Sequence, residues 1–178
     1  MSLDWCVDMK IKKSLEQAAC VLLMLALQKE HKPVKSAVIS KRLDVSSSYL
    51  KKIMPRLVAE GLVASDASKG GGYTLARPIG EITMLDAFYA IEGHGHFYAI
   101  SHFAQKIFHH GDRVLQSENE IMDVLARAEN LFLKELGGYP FSNFLEGIDY
   151  SDGVVDWASL GLNDPKCPAR KEAVVEEH

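Results

Sequence analysis

The segment SAVISKRLDVSSSYLKKIMPRLVAEGLVASDASKGGGYTL (residues 36–75) decides the fold of this 178-residue chain. Ser36 to Leu43 reads as a short helix with Ile39 and Leu43 on its apolar side and Ser36 as its N-cap. Asp44-Val45-Ser46 makes a turn in which Asp44 tolerates left-handed backbone. A second helix follows, carrying Leu50, Ile53 and Leu57 at helical spacing and Ser48, Lys51, Lys52 and Arg56 on the opposite side. Ser46 or Ser47 caps it. Pro55 removes one backbone hydrogen bond, so a bend near Ser48 to Lys52 is expected, but not a break, because Leu57 and Val58 keep the period. Leu62–Ser65 and Tyr73–Leu75 are strand-like runs flanking Ser68-Lys-Gly-Gly-Gly72. The glycines lack the Walker order of a phosphate loop and suit a hairpin turn that exploits positive φ. Helix, turn, helix and hairpin in that order predict a winged helix, whose second helix enters the major groove of DNA.

Charge supports that reading once the chain is divided. The whole carries a net −4, but residues 1–80 hold 13 Lys and Arg against 7 Asp and Glu. Residues 81–178 hold 7 against 17, so the basic charge lies with the helix-turn-helix. The apolar run Ala18–Leu27 is short of the roughly 20 residues a membrane span requires and lacks the features of a secretory signal, so the cytoplasm is the expected compartment. Cys6, Cys20 and Cys167 are too few and too scattered for a disulfide framework or a zinc motif; Cys20, within an apolar helical stretch, is expected to be a small buried hydrophobe.

Elsewhere the pattern is helical. Ile11, Leu15, Ala18, Leu22 and Leu25 mark a first helix from Lys10, closed by Lys32-Pro33. Thr83 and Asp86 form a capping box opening a helix with Leu85, Phe88 and Ile91, which Gly93 stops. Phe97, Ile100, Phe103, Ala104, Ile107 and Phe108 suggest a further amphipathic helix, ended by Gly111-Asp112. Glu118–Leu136 is a long helix with a seam of Ile121, Leu125, Ala128, Phe132 and Leu136, and with Met122, Val124, Leu131 and Leu133 beside it. A helix apolar around so much of its circumference needs a second partner, most economically another copy of the chain. Ile121, Val124, Leu125, Ala128, Leu131 and Phe132 are the expected dimer contacts. Beyond Gly147 the chain is acidic and aperiodic, expected to pack loosely except for an anchor at Trp157 and Leu160.

The wing sequence Ser68-Lys-Gly-Gly-Gly-Tyr-Thr-Leu-Ala-Arg-Pro78, together with Glu81-Ile-Thr-Met-Leu-Asp86 and Ala90-Ile-Glu-Gly93, closely resembles the Rrf-two family of bacterial regulators. Ser48 to Val63 also looks like that family's recognition helix and first wing strand, so the resemblance runs from about Met9 to Gly93. It implies a mainly α, winged helix-turn-helix transcriptional regulator with a β-hairpin wing and a long dimerisation helix, usually a repressor. Carried over by position, Ser46, Ser48, Tyr49, Lys51 and Lys52 fall where the recognition helix meets DNA, and Lys69 with the Gly70, Gly71 and Gly72 backbone falls on the wing. Arg56 joins this set from its own place on the basic face. The domains expected are a DNA-binding domain over 9–80, linker and dimerisation helices over 81–146, and an acidic tail over 147–178.

Two positions depart from the family pattern. Ala67 stands where the family commonly has a wing-tip arginine, which argues against arginine reading of the minor groove. Sensor members place three cysteines after Glu92-Gly93 to hold an iron–sulphur cluster, and residues 94–117 contain none. No cofactor is therefore expected, and a small-molecule or protein effector acting near Phe88, Phe97 and Phe103 would take its place. The alternative sensor is a metal or haem site using His94, His96 and His102, although surface histidines are more often merely polar. A winged helix serving only protein contact is the remaining alternative. No catalytic constellation stands out, and an enzyme is not expected.

Overall fold

In the computed structural model, residues 13–99, 101–108 and 111–160 are described. Helix α1 (Lys13–Leu27) buries Leu15, Ala18, Val21, Leu22 and Leu25 along one side, the spacing its sequence predicts. The part of this helix expected before Lys13 lies outside the described residues. It ends earlier than Pro33: a 3-10 turn at Lys29–His31 intervenes, with Glu30 and His31 both at positive φ. Cys20 is exposed rather than buried, correcting the expectation, because it lies off the buried stripe of α1. Partial desolvation, then the negative charge of Glu16, raise its thiol pKa.

Helix α2 (Ser36–Arg42) begins after Lys35, so Ser36 is its first residue and not its cap. Leu43 leads into Asp44 at φ 50°, the left-handed turn residue anticipated, and α3 (Ser47–Ala59) follows. Ser46 caps α3 by accepting a hydrogen bond from the Tyr49 backbone N–H at 3.2 Å. The helix runs unbroken through Pro55 and buries Leu50, Ile53, Met54 and Leu57. Strands β1 (Val63–Ser65) and β2 (Tyr73–Leu75) pair antiparallel with Ala64 opposite Thr74. Val34 forms a separate bridge to β2, exchanging backbone bonds of 2.9 Å with Tyr73 in both directions.

Two of the wing glycines, Gly71 and Gly72, are required for a different reason from the one expected, while Gly70 has open space around it. None of Gly70, Gly71 and Gly72 has positive φ; a Cβ on Gly71 would strike the Asp66 carbonyl, and one on Gly72 the Val34 carbonyl. The close approach of two backbones, and not a left-handed turn, excludes side chains there. Asp66 stabilises the tip by accepting from the Ser68 N–H and hydroxyl, both at 2.8 Å.

Helix α4 (Met84–Glu92) opens on the reciprocal capping box: the Thr83 hydroxyl accepts from Asp86 N–H, and the Asp86 carboxylate accepts from Thr83 N–H. Gly93, at φ 88°, ends it. Of the amphipathic helix expected over 97–108, the described residues show the five of α5 (Phe103–Ile107), preceded by His102 in left-handed backbone, and Ile100 lies outside the described residues. Helix α6 (Gly111–Gly137) is longer than the sequence suggested and starts seven residues before Glu118.

One apolar core joins α1, α3, α4 and the β-hairpin, with Leu22, Ile39, Leu50, Leu57, Leu62, Ile82 and Phe141 among its most enclosed side chains. The segment from 148 to 160 does not pack loosely, and the remainder of the expected tail lies outside the described residues. It returns across the end of α1: Val154 and Val155 N–H donate to Leu27 O, and Trp157 Nε1 donates to Met24 O at 2.8 Å. Arg42 lies over the Trp157 ring at 5.9 Å and also hydrogen-bonds Leu160 O. The Trp157–Leu160 anchor thus extends into a continuous strap over residues 148–160.

Candidate nucleic-acid interface

The apolar side of α3 fixes the orientation of the polar one. With Leu50, Ile53 and Leu57 enclosed, Ser48, Lys51 and Lys52 are exposed, and among the described residues neither lysine has a hydrogen bond or ion pair. Tyr49 is half-buried against the core, and Ser46 is occupied with the cap, its hydroxyl 3.0 Å from that of Ser48. Arg56 is placed differently from its neighbours. Its Nη1 donates to Ile91 O at 2.7 Å, so its charge meets the carbonyl end of α4 and braces α3 against it. On the wing, Lys69 and Gly70 are exposed, whereas Gly71 is buried against the Asp66 backbone.

The second surface is α6. Ile121, Val124, Leu125, Leu131 and Phe132 are all exposed, Leu131 at 69%, and Ala128 lies between them. Helical spacing puts them in one stripe. An adjoining stripe faces the protein's own body, through Leu133 and Leu136 and through two glutamates that are almost fully enclosed, Glu118 at 6% and Glu129 at 7%. These acids were not singled out by sequence reasoning, although their spacing of eleven residues, three helical turns, places them on one face.

Each buried acid is paired with a histidine. Glu129 accepts from His96 Nδ1 at 2.8 Å and from Phe97 N–H at 2.9 Å. Glu118 accepts from His102 Nδ1 at 2.8 Å and Gln105 Nε2 at 2.7 Å. The hydrogen bonds from His102 and Gln105 hold the Glu118 carboxyl below the ordinary range, and the bond from His96 does the same for Glu129. His94 takes a third acid, lying 3.0 Å from Glu60 Oε1, and its ring stacks on Tyr89 with centroids 4.1 Å apart. His94, His96 and His102 are therefore dispersed among three carboxylates, and no group of three metal-ligating side chains forms among the described residues. Phe88, Phe97 and Phe132 pack edge to face with centroids 5.4–5.6 Å apart, while Phe103 is 65% exposed.

A winged helix with an exposed basic helix face and a long helix bearing an unpartnered apolar stripe defines a helix-turn-helix regulator. The family model described as Rrf2, iron-dependent transcriptional regulator, matches residues 11–147. The chain is 38% identical over 127 residues to YwgB of Bacillus subtilis (strain 168), named as an HTH-type transcriptional regulator, covering 71% of this chain and 81% of that one. It is 33% identical over 143 residues to the similarly named YffB of Lactococcus lactis subsp. lactis (strain IL1403), covering 80% and 91%. Among solved structures, CymR, the global cysteine regulator of B. subtilis, has the same fold at a TM-score of 0.57 and 19% identity, covering 79% of this chain and 98% of that one. The chain belongs to the Rrf2 family of transcriptional regulators; its family and relatives are not enzymes.

The family description speaks of iron. Among the described residues the one cysteine is Cys20 on α1, and residues 94–117 carry none, so these residues do not fit a cluster held by three cysteines after α4; Cys6 and Cys167 lie outside the described residues. Nor is any helix among the described residues long and apolar enough to cross a membrane.

Proposed function

We propose that the protein is a cytoplasmic homodimer that binds a roughly palindromic DNA operator and represses transcription without an iron–sulphur cluster. The observation carrying this reading is the pair of ammonium groups at Lys51 and Lys52, exposed and without partners among the described residues, on a helix whose other side is locked into the core. Cations held outward on a rigid element suit phosphate contacts, and Ser48 at the start of the same helix lies where base edges are read. Lys69 on the wing supplies a further charge. Arg56, committed to Ile91 O, serves by bracing α3, and its share in DNA contact is smaller than its position on the helix suggests.

Dimerisation is supported by the α6 stripe from Ile121 to Phe132, too apolar to remain in water. Two copies joined through it would set two recognition helices about 34–36 Å apart, one turn of DNA. A gel-shift against the promoter of the protein's own transcription unit tests the proposal. Wild-type chain should retard the fragment, and the Lys51→Ala/Lys52→Ala variant should not at the same concentration. Equal retardation by both would remove the α3 assignment.

A further inference from the structure

Helix α2 is held at both ends by segments outside the helix-turn-helix. It has seven residues and buries Ile39 and Ser40, too little for so short a helix to stand on its own. Just before it, Val34 is tied to the second wing strand through the paired backbone bonds with Tyr73. At its last residue, Arg42, the strap takes over. Arg42 Nη2 donates to Leu160 O at 2.5 Å and to Trp157 O at 3.4 Å, and its guanidinium carbon lies 5.9 Å from the centroid of the Trp157 ring. A planar guanidinium that donates to carbonyls and also lies over an indole is fixed in direction, as a lysine ammonium would not be.

Trp157 is fixed in turn by α1. Its Nε1–H donates to Met24 O at 2.8 Å, and its backbone N–H donates to Gln28 Oε1 at 3.3 Å. Met24 O and Leu27 O belong to the last turn of α1, whose carbonyls lack partners within the helix. The strap supplies their donors, from Trp157 and from the Val154 and Val155 backbone. The two chains approach so closely that a Cβ on Gly153, at φ 65°, would strike Gln28 O. The strap is thus seated on a core helix, and Arg42 carries that seat to the end of α2. The match to the family model ends at residue 147, so this brace is built from sequence beyond it.

Arg42 also stands next to the turn that aims α3. Leu43 follows it, then Asp44 in left-handed backbone, and Val45 N–H closes the turn onto Ser40 O at 3.0 Å. The direction of the end of α2 therefore sets the direction of the turn and of the first residues of α3, Ser48 among them. Meanwhile the charge of Arg42 is committed to strap carbonyls and an indole face, not to the exposed side of the helix pair.

We infer that Arg42 and Trp157 are positioning residues for operator recognition: together they hold α2 against α1, so that α3 meets the groove at one angle, and neither touches DNA. Specific binding needs that angle, because base edges are read only in register. Binding to unrelated duplex depends on phosphate charge and does not need it. The operator role rests on the DNA-binding reading above. The brace itself does not, so failure of the two can be told apart.

Two measurements on the full chain test this. Without DNA, Arg42→Met and Trp157→Ala should each speed hydrogen exchange about tenfold at the Leu43 and Val45 amides, which bond to Ile39 O and Ser40 O, and leave the Gly93 amide at the end of α4 unchanged. With DNA, each variant is titrated against a duplex from the promoter of the protein's own transcription unit and against an unrelated duplex of equal length. A salt series is run at a temperature where circular dichroism shows the variant folded. Each should weaken promoter binding about fivefold and unrelated binding less than about twofold, with the salt slope unchanged. The double variant should do no more than either single one, because both remove one shared contact. Trp157→Phe, which keeps a ring beneath Arg42, should retain most of the promoter affinity. Unchanged exchange in both variants would overturn the brace. Faster exchange with undiminished promoter affinity would overturn the positioning role, and so would a slope shallower by about 1.8, the mark of one lost phosphate contact per protomer of a dimer. Wild-type chain that binds neither duplex would remove the DNA-binding reading and the operator role with it, while exchange would still decide the brace.

Discussion

The helix-turn-helix head and the arm built on α5 and α6 are held by different chemistry. In the head, apolar side chains from α1, α3, α4 and the hairpin interlock, and the charged side chains turn outward. In the arm the arrangement is nearly reversed: leucine, isoleucine and phenylalanine face water along α6, and two glutamates are buried and clamped by histidines. A head of that kind is complete as a single chain. An arm of that kind suits the proposed dimer, its polar clamps holding the linker while the apolar stripe stays open to a second copy.

The largest expected effect attacks the arm. Ile121→Asp with Leu131→Asp places two carboxylates in the stripe and should weaken dimerisation by about 100-fold or more, from roughly 3 kcal/mol of unfavourable charge burial. Sedimentation equilibrium should then report a folded monomer. A variant that stays dimeric at low micromolar concentration would show that the copies meet elsewhere.

Leu57→Ala tests the head instead. Leu57 is fully enclosed, and such truncations cost about 2–5 kcal/mol depending on how far the cavity collapses. Chemical denaturation should show that loss with the oligomeric state of the remaining folded protein unchanged. A loss under about 1 kcal/mol would mean that α3 is less tightly seated than the packing indicates.

A smaller effect separates the two regions by pH. Glu118 and Glu129 have lowered carboxyl pKa values, first because of their hydrogen bonds from His102 and His96. A depressed folded-state pKa contributes stability above the ordinary glutamate value, about 4.3, and that contribution disappears as pH falls through the folded pKa. Hydrogen exchange across Phe97–Ile107 should therefore accelerate in that acidic window while α1 and α3 remain protected. Glu118→Gln with Glu129→Gln should abolish the difference, and an arm that loosens in step with the head would contradict it.

Much of the head was legible because its signals are local. The periodicity of α1 and α3, the Ser46 cap, the left-handed Asp44, the Thr83–Asp86 box and the Gly93 stop each involve residues within a few positions of one another. The arm's clamps were not legible, since His94, His96 and His102 find acids 34, 33 and 16 residues away, and sequence spacing alone does not show such partners. The strap escaped for another reason. Most of its hold on α1 is backbone hydrogen bonding, which leaves no side-chain pattern to read. Gly71 and Gly72 were singled out for the wrong property, because crowding by the Asp66 and Val34 carbonyls depends on the fold and not on the turn. Arg56 carries the same lesson: a basic residue on the outward side of a helix found its acceptor at the end of α4.

The central claim is that the free charges of α3 bind a polyanion, and the salt dependence of operator binding measures this most directly. Each phosphate contact contributes about −0.9 to the slope of log affinity against log salt. Lys51→Ala/Lys52→Ala removes up to four contacts from a dimer and should make that slope shallower by about 3 to 4. A slope identical to that of the unmodified protein would contradict the account.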